Sequence, residues 1–72
     1  MTLRQAREKK GFNQHDIFLL TGISQTRLSL LERGYYKPRL DEMRLLCEAL
    51  GVNASDLEFI ERRAALNVSL AG

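Results

Sequence analysis

The chain has little of what small proteins use to brace themselves. Its 72 residues include one cysteine, Cys47, and one histidine, His15. No internal disulfide can form, and no Cys/His ligand set for a structural metal can be assembled. Tryptophan is absent and Pro38 is the only proline. A chain this short buries only roughly 60% of the surface its unfolded form exposes. Its core must therefore hold itself together on a thin margin, and a second copy of the chain is one way to add to it. Long apolar runs are missing too: none approaches the roughly 20 residues that span a bilayer. The opening "MTLRQAREKK" carries charge where a secretory leader needs an apolar stretch. The expectation is a cytoplasmic protein without a membrane partner. No nucleophile, base and orienting group can be gathered from this inventory, and Asp41 with Glu42 reads as a pair of dipole complements at a helix start. The chain is expected to be no enzyme and to need no cofactor, metal or small-molecule ligand.

What is present is unevenly placed. The net charge is +2, yet residues 1 to 39 hold eight Lys and Arg against three Asp and Glu, while residues 40 to 72 hold three against six. One half is suited to a polyanion, although a solvated surface accounts equally well for charge taken alone. There is no repeat, low-complexity segment or linker. Thr2 can cap a first helix ending at Lys10-Gly11, Asn13 a second ending at Thr21-Gly22, and Ser24 a third ending at Gly34. After "GYYKPR" comes a fourth, "LDEMRLLCEALG", with Leu40, Met43, Leu46, Cys47 and Leu50 on one face. Asn53 or Ser55 can cap a fifth, "DLEFIERRAAL". No stretch alternates with period two, so the predicted fold is all-α, a compact five-helix bundle in one domain, 1 to 72.

The second and third helices are separated by three or four residues including Gly22, room only for a sharp corner. Ile17, Ile23, Leu28 and Leu31 then face the core. At 100° per residue Thr26, Ser29, Leu30 and Arg33 lie opposite, with Gln25 at the exposed N-terminal tip. A helix presented this way suits the DNA major groove, about 12 Å wide. Glutamine offers the donor and acceptor that adenine pairs with, and threonine and serine are short enough for close approach. Asn13 and Gln14, at the start of the second helix, can hold a phosphate on first-turn amides. Arg33, Tyr35, Tyr36, Lys37 and Arg39 stand where the flanking backbone would pass, though either tyrosine can equally be a packing residue.

These stretches, "LRQAREKKGFNQ", "GISQTRLSLLERG", Pro38 and "LCEALGVNASDL", resemble the Cro and phage-repressor (XRE-type) helix-turn-helix proteins over residues 3 to 57. The resemblance implies a five-helix bundle, a lambda-repressor-like DNA-binding domain, with a recognition helix over about 25 to 33. It implies a homodimeric transcription regulator, repressor-like, with double-stranded DNA as partner. By that resemblance Gln14 makes a phosphate and bridging contact, Gln25, Thr26, Ser29 and Leu30 meet bases, and residues 35 to 39 meet phosphates. It also pairs Arg7 with Glu32.

Some residues depart from the family's pattern. Phe18 stands where the family usually has alanine, at the close approach of two helices. Leu19 and Leu20 replace polar residues, and Leu30 can touch a thymine methyl but reads no hydrogen-bond pattern. Phe18, Leu19, Leu20 and Leu30 would also suit a protein-interaction module built on the same bundle. Beyond residue 57, the segment 58 to 72 adds Phe59, Ile60 and Leu66, either a dimer interface or residues folded back on the first helix.

Overall fold

The computed structural model describes residues 1–59. Among them the chain forms four α-helices, α1 (Leu3–Lys9), α2 (Gln14–Thr21), α3 (Gln25–Glu32) and α4 (Leu40–Leu50), and one 3-10 turn (Ala54–Asp56). The first three start on side-chain caps. Thr2 Oγ1 accepts from the Gln5 amide at 3.1 Å, Asn13 Oδ1 from the Asp16 amide at 2.8 Å and Ser24 Oγ from the Arg27 amide at 3.1 Å. In the first two the bond is returned, Gln5 and Asp16 accepting from the amides of Thr2 and Asn13. Orphan donors at each start are thereby satisfied within three residues.

Among the described residues nine apolar side chains form the buried core: Leu3 and Ala6 from α1, Ile17 from α2, Ile23 from the corner, Leu28 and Leu31 from α3, Leu46 and Leu50 from α4, and Leu57. Phe12, Met43, Cys47, Val52 and Phe59 pack around it. Burying each large aliphatic side chain contributes about 1.5–3 kcal/mol. Every helix thus gives the core one or two residues and depends on the others to cover them.

Two expectations from the sequence are corrected here. Among the described residues the five-helix count is not met, because a single 3-10 turn stands where the fifth helix was expected to begin. After that turn Leu57 is extended at φ −100° and ψ 135°. Thr2 and Glu58 form an isolated parallel bridge, and the Glu58 amide donates to the Met1 carbonyl at 2.7 Å. A helix running on from Asn53 would send that amide to a carbonyl four residues back. Seating Leu57 in the core beside the start of α1 requires the chain to straighten instead. The remainder of the expected helix, from Ile60 to Leu66, lies outside the described residues. Leu40 is the second correction: it is 93% exposed rather than on the apolar face of α4. It is the first residue of that helix, a turn short of where Met43 and Leu46 reach the core.

Candidate nucleic-acid interface

The corner between α2 and α3 is three residues long, Gly22 to Ser24, and its geometry follows from local bonding. Thr21 Oγ1 donates to the Ile17 carbonyl at 2.6 Å and accepts from the Ile23 amide at 3.1 Å. Gly22 takes φ +78°, a left-handed conformation that side chains disfavour, while its amide donates to the Phe18 carbonyl. A Cβ there would meet open space, so the backbone angle alone selects glycine. Ile23 turns inward behind it, and α3 leaves the corner with Leu28 and Leu31 sealed against the core.

That placement fixes the outward side of α3. Gln25 and Thr26 are exposed, Ser29 and Leu30 are half-buried, and Arg33 is exposed as the residue closing the helix. Leu30 is accordingly less available to a partner than the sequence suggested. Phe18 resolves its crowding by turning aside: it is 41% exposed, its ring 6.0 Å from that of His15. Leu19 and Leu20 stand out from α2 at 67% and 54% exposure.

Arg7 and Glu32 bind α1 to α3. Arg7 Nε donates to Glu32 Oε2 at 2.7 Å and Nη2 to Oε1 at 3.2 Å, with the two side chains only 11% and 5% exposed. The same guanidinium reaches the Phe12 carbonyl through Nη1 at 2.9 Å. Hydrogen bonding to Glu32 raises the Arg7 pKa, against the opposing effect of burial. Gln14 Nε2 also donates to Glu32 Oε1, at 3.2 Å, so its side chain is held within this network at the start of α2. Three helices meet at one carboxylate.

A second, half-buried pair was not anticipated from the sequence. Arg27 meets Glu42 side-on, Nε to Oε2 at 3.0 Å and Nη2 to Oε1 at 2.9 Å, while the Arg39 amide donates to the same Oε1 at 2.8 Å. The bond from Arg27, foremost, holds the Glu42 carboxyl below its ordinary value, and burial opposes it. The Arg27 guanidinium also lies 5.3 Å over the Tyr36 ring. One signal for this pair stood in the sequence: Arg27 is a cation in the first turn of a helix, where the dipole opposes it and an anion is needed.

The loop from 33 to 39 is arranged by cations on aromatics. Arg33 stacks 5.3 Å from the Tyr35 ring, a second arginine–tyrosine contact beside that of Arg27 with Tyr36. Tyr35 is half-buried, and Tyr36, Lys37 and Arg39 are exposed. Cys47 lies half-buried on α4 with its thiol pKa pushed up, first by burial and then by Asp56, which keeps it protonated. Among the described residues no group of three or more His, Cys, Asp or Glu could hold a metal ion, and no helix is long and apolar enough to cross a membrane.

A family model described as helix-turn-helix matches residues 3–57. The chain belongs to the Cro/repressor-type helix-turn-helix family. The match covers all four helices, and the family is one that binds DNA. No curated protein and no solved structure matches the chain. Of the expected dimer residues, Phe59 packs on the core of its own chain, while Ile60 and Leu66 lie outside the described residues.

Proposed function

We propose that this helix-turn-helix protein is a sequence-specific regulator of transcription, repressor-like, that acts in the cytoplasm as a homodimer on double-stranded DNA. The helix α3 enters the major groove. One observation carries the reading: Gln25 and Thr26 open α3 at the surface while Leu28 and Leu31, on its other side, are sealed in the core. Gln25, Thr26, Ser29 and the side of Leu30 meet base edges. Asn13, Gln14, Arg33, Tyr35, Tyr36, Lys37 and Arg39 flank them on the backbone. Arg7 and Glu32 hold α3 at its angle to the rest of the bundle.

The homodimer is assigned to the segment that begins near Ile60 and includes Leu66. Pairing about a two-fold axis sets two recognition helices about 34 Å apart, one turn of duplex.

Selection of duplexes from a random library, followed by titration over a range of salt, tests the reading. Gln25→Ala should cost about 1–3 kcal/mol at the selected site and relax preference at one base pair. Lys37→Ala should weaken all duplexes alike and reduce the salt slope by about 1. Binding without any sequence preference would refute it. A second reading has an observation of its own in the exposed Phe18, Leu19 and Leu20, which suit a protein partner. Association through them would persist as salt rises, whereas binding through phosphates weakens steeply.

A further inference from the structure

The carboxylate that ties α1 to α3 also reaches the start of α2. Gln14 Nε2 donates to Glu32 Oε1 at 3.2 Å in a partly buried contact, and the Glu32 side chain is only 5% exposed. Arg7 grips both oxygens of the same carboxylate, Nε on Oε2 at 2.7 Å and Nη2 on Oε1 at 3.2 Å. A carboxylate paired in this way only accepts, so the Gln14 amide turns its nitrogen inward. The opposite orientation would set Gln14 Oε1 against Glu32 Oε1, two acceptors with no hydrogen between them. Two backbone donors at this end of α2 are engaged locally. The Asn13 amide donates to Asp16 Oδ2 at 2.9 Å and the Asp16 amide to Asn13 Oδ1 at 2.8 Å.

We propose that Glu32 is a positioning residue for Gln14, holding that side chain in place before DNA arrives so that the second hydrogen of Nε2 is offered to a backbone phosphate. This rests on Gln14 being a phosphate contact. A primary amide nitrogen carries two hydrogens, and Glu32 takes one. A glutamine side chain that is loose in the free protein has to be ordered on binding, which weakens an interface by about two- to tenfold. Here the ordering takes place during folding, as Gln14 closes on Glu32. Arg7 serves the same end, because its charge answers that of a carboxylate which would otherwise repel the strand.

The test measures duplex affinity for four whole chains: the parent, Gln14→Ala, Arg7→Met with Glu32→Leu, and all three changes together. Gln14→Ala should weaken the parent on every duplex by about tenfold or more, the loss of a hydrogen bond to a charged group. On the Arg7→Met, Glu32→Leu background the same change should weaken binding by about two- to tenfold less. Any shift of α3 on that background enters both arms and cancels, so a Glu32 that only holds α3 would leave the two losses equal. Nuclear magnetic resonance of the chain without DNA gives a second readout. The two Gln14 Nε2 hydrogens should be widely separated and slow to exchange with water in the parent, and close together and fast in the Arg7→Met, Glu32→Leu chain. If that chain does not fold, the signals of the parent decide.

Equal losses from Gln14→Ala on the two backgrounds would overturn the inference and leave Gln14 as an independent phosphate contact. So would Gln14 amide signals in the parent that match those of a fully solvated glutamine. If Gln14→Ala weakens no duplex, the phosphate contact and this inference fall together.

Discussion

Arg7→Met keeps most of the aliphatic length of the side chain and removes the guanidinium. Lost with it are both bonds to Glu32 and the one to the Phe12 carbonyl. What remains is a carboxylate whose side chain is 5% exposed, with the single amide of Gln14 at 3.2 Å in place of a paired cation. Stranding a buried charge in this way costs about 3–5 kcal/mol. A chain of this length has a total stability on the order of 4–11 kcal/mol, so the loss is a large part of the whole. At about 4–8 °C per kcal/mol for a domain of this size, the thermal midpoint should fall by at least about 12 °C. Far-UV circular dichroism during a melt measures it. The control is Arg7→Met combined with Glu32→Leu, which removes both charges and should recover much of the loss, because the cost lies in the unpaired carboxylate rather than in the absent pair. A midpoint within about 3 °C of the parent for the single variant would refute the reasoning, since stranding a buried charge costs several times what that shift represents. So would a double variant no more stable than the single one.

Other perturbations follow from the same geometry. Because Arg27 holds the folded Glu42 carboxyl below its ordinary value of 4.5, that contribution is present above this pH and is lost as pH falls through the lowered value. Glu42→Gln should therefore be less stable near neutrality and lose less below about pH 4.5, and acid melts with the parent's full slope would exclude the pair as a contributor. Gly22→Ala should cost about 1–2 kcal/mol from the left-handed backbone, with no steric addition, and an unchanged melt would show that the corner relaxes. Sedimentation of the chain without DNA should give a dimer at micromolar concentration and a monomer for Ile60→Asp with Leu66→Asp, whereas a monomeric parent would exclude the dimer. Phe59 is unsuitable for that test because replacing it would injure the core of its own chain.

The parts of the fold legible in the sequence are those decided within a few residues. Thr2, Asn13 and Ser24 each satisfy an amide three positions on, a distance any helix start shares, so three helix beginnings could be placed from the order of residues. Leu28 and Leu31 follow from helical period, and with them the outward side of α3. The end of the bundle could not be read in this way. Asn53 to Leu57 has a cap and an apolar spacing that suit a helix. Whether it continues depends on a bond between Glu58 and Met1, 57 positions apart. Local pattern carries no information about a partner at that separation. Leu40 misled for a different reason: helical period gives the direction of a side chain around the axis but not whether the core extends as far as the helix's first turn.

Charge was the least legible feature, because a count of cations takes no account of which are engaged. The basic half of the chain looked suited to a polyanion. In the fold, Arg7 is consumed by Glu32 and Arg27 by Glu42, both pairs largely withdrawn from solvent, and Arg4 lies 3.5 Å from Glu8 on α1. Arg33, Lys37 and Arg39 are exposed around the C-terminal end of α3, with Arg33 stacked on Tyr35, and under the proposed function these side chains meet phosphate. The paired arginines act indirectly: one ties α3 to α1 and the other ties it to α4, so the angle at which α3 stands is set from both sides. For a helix that reads bases, that angle decides which side chains reach the groove. Under the proposed function the positive charge in this sequence is therefore divided between holding the reading helix and meeting the backbone beside it. On this division Arg7→Met and Arg27→Met should alter stability, while Lys37→Ala should alter salt dependence, and the two effects separate in one set of titrations and melts.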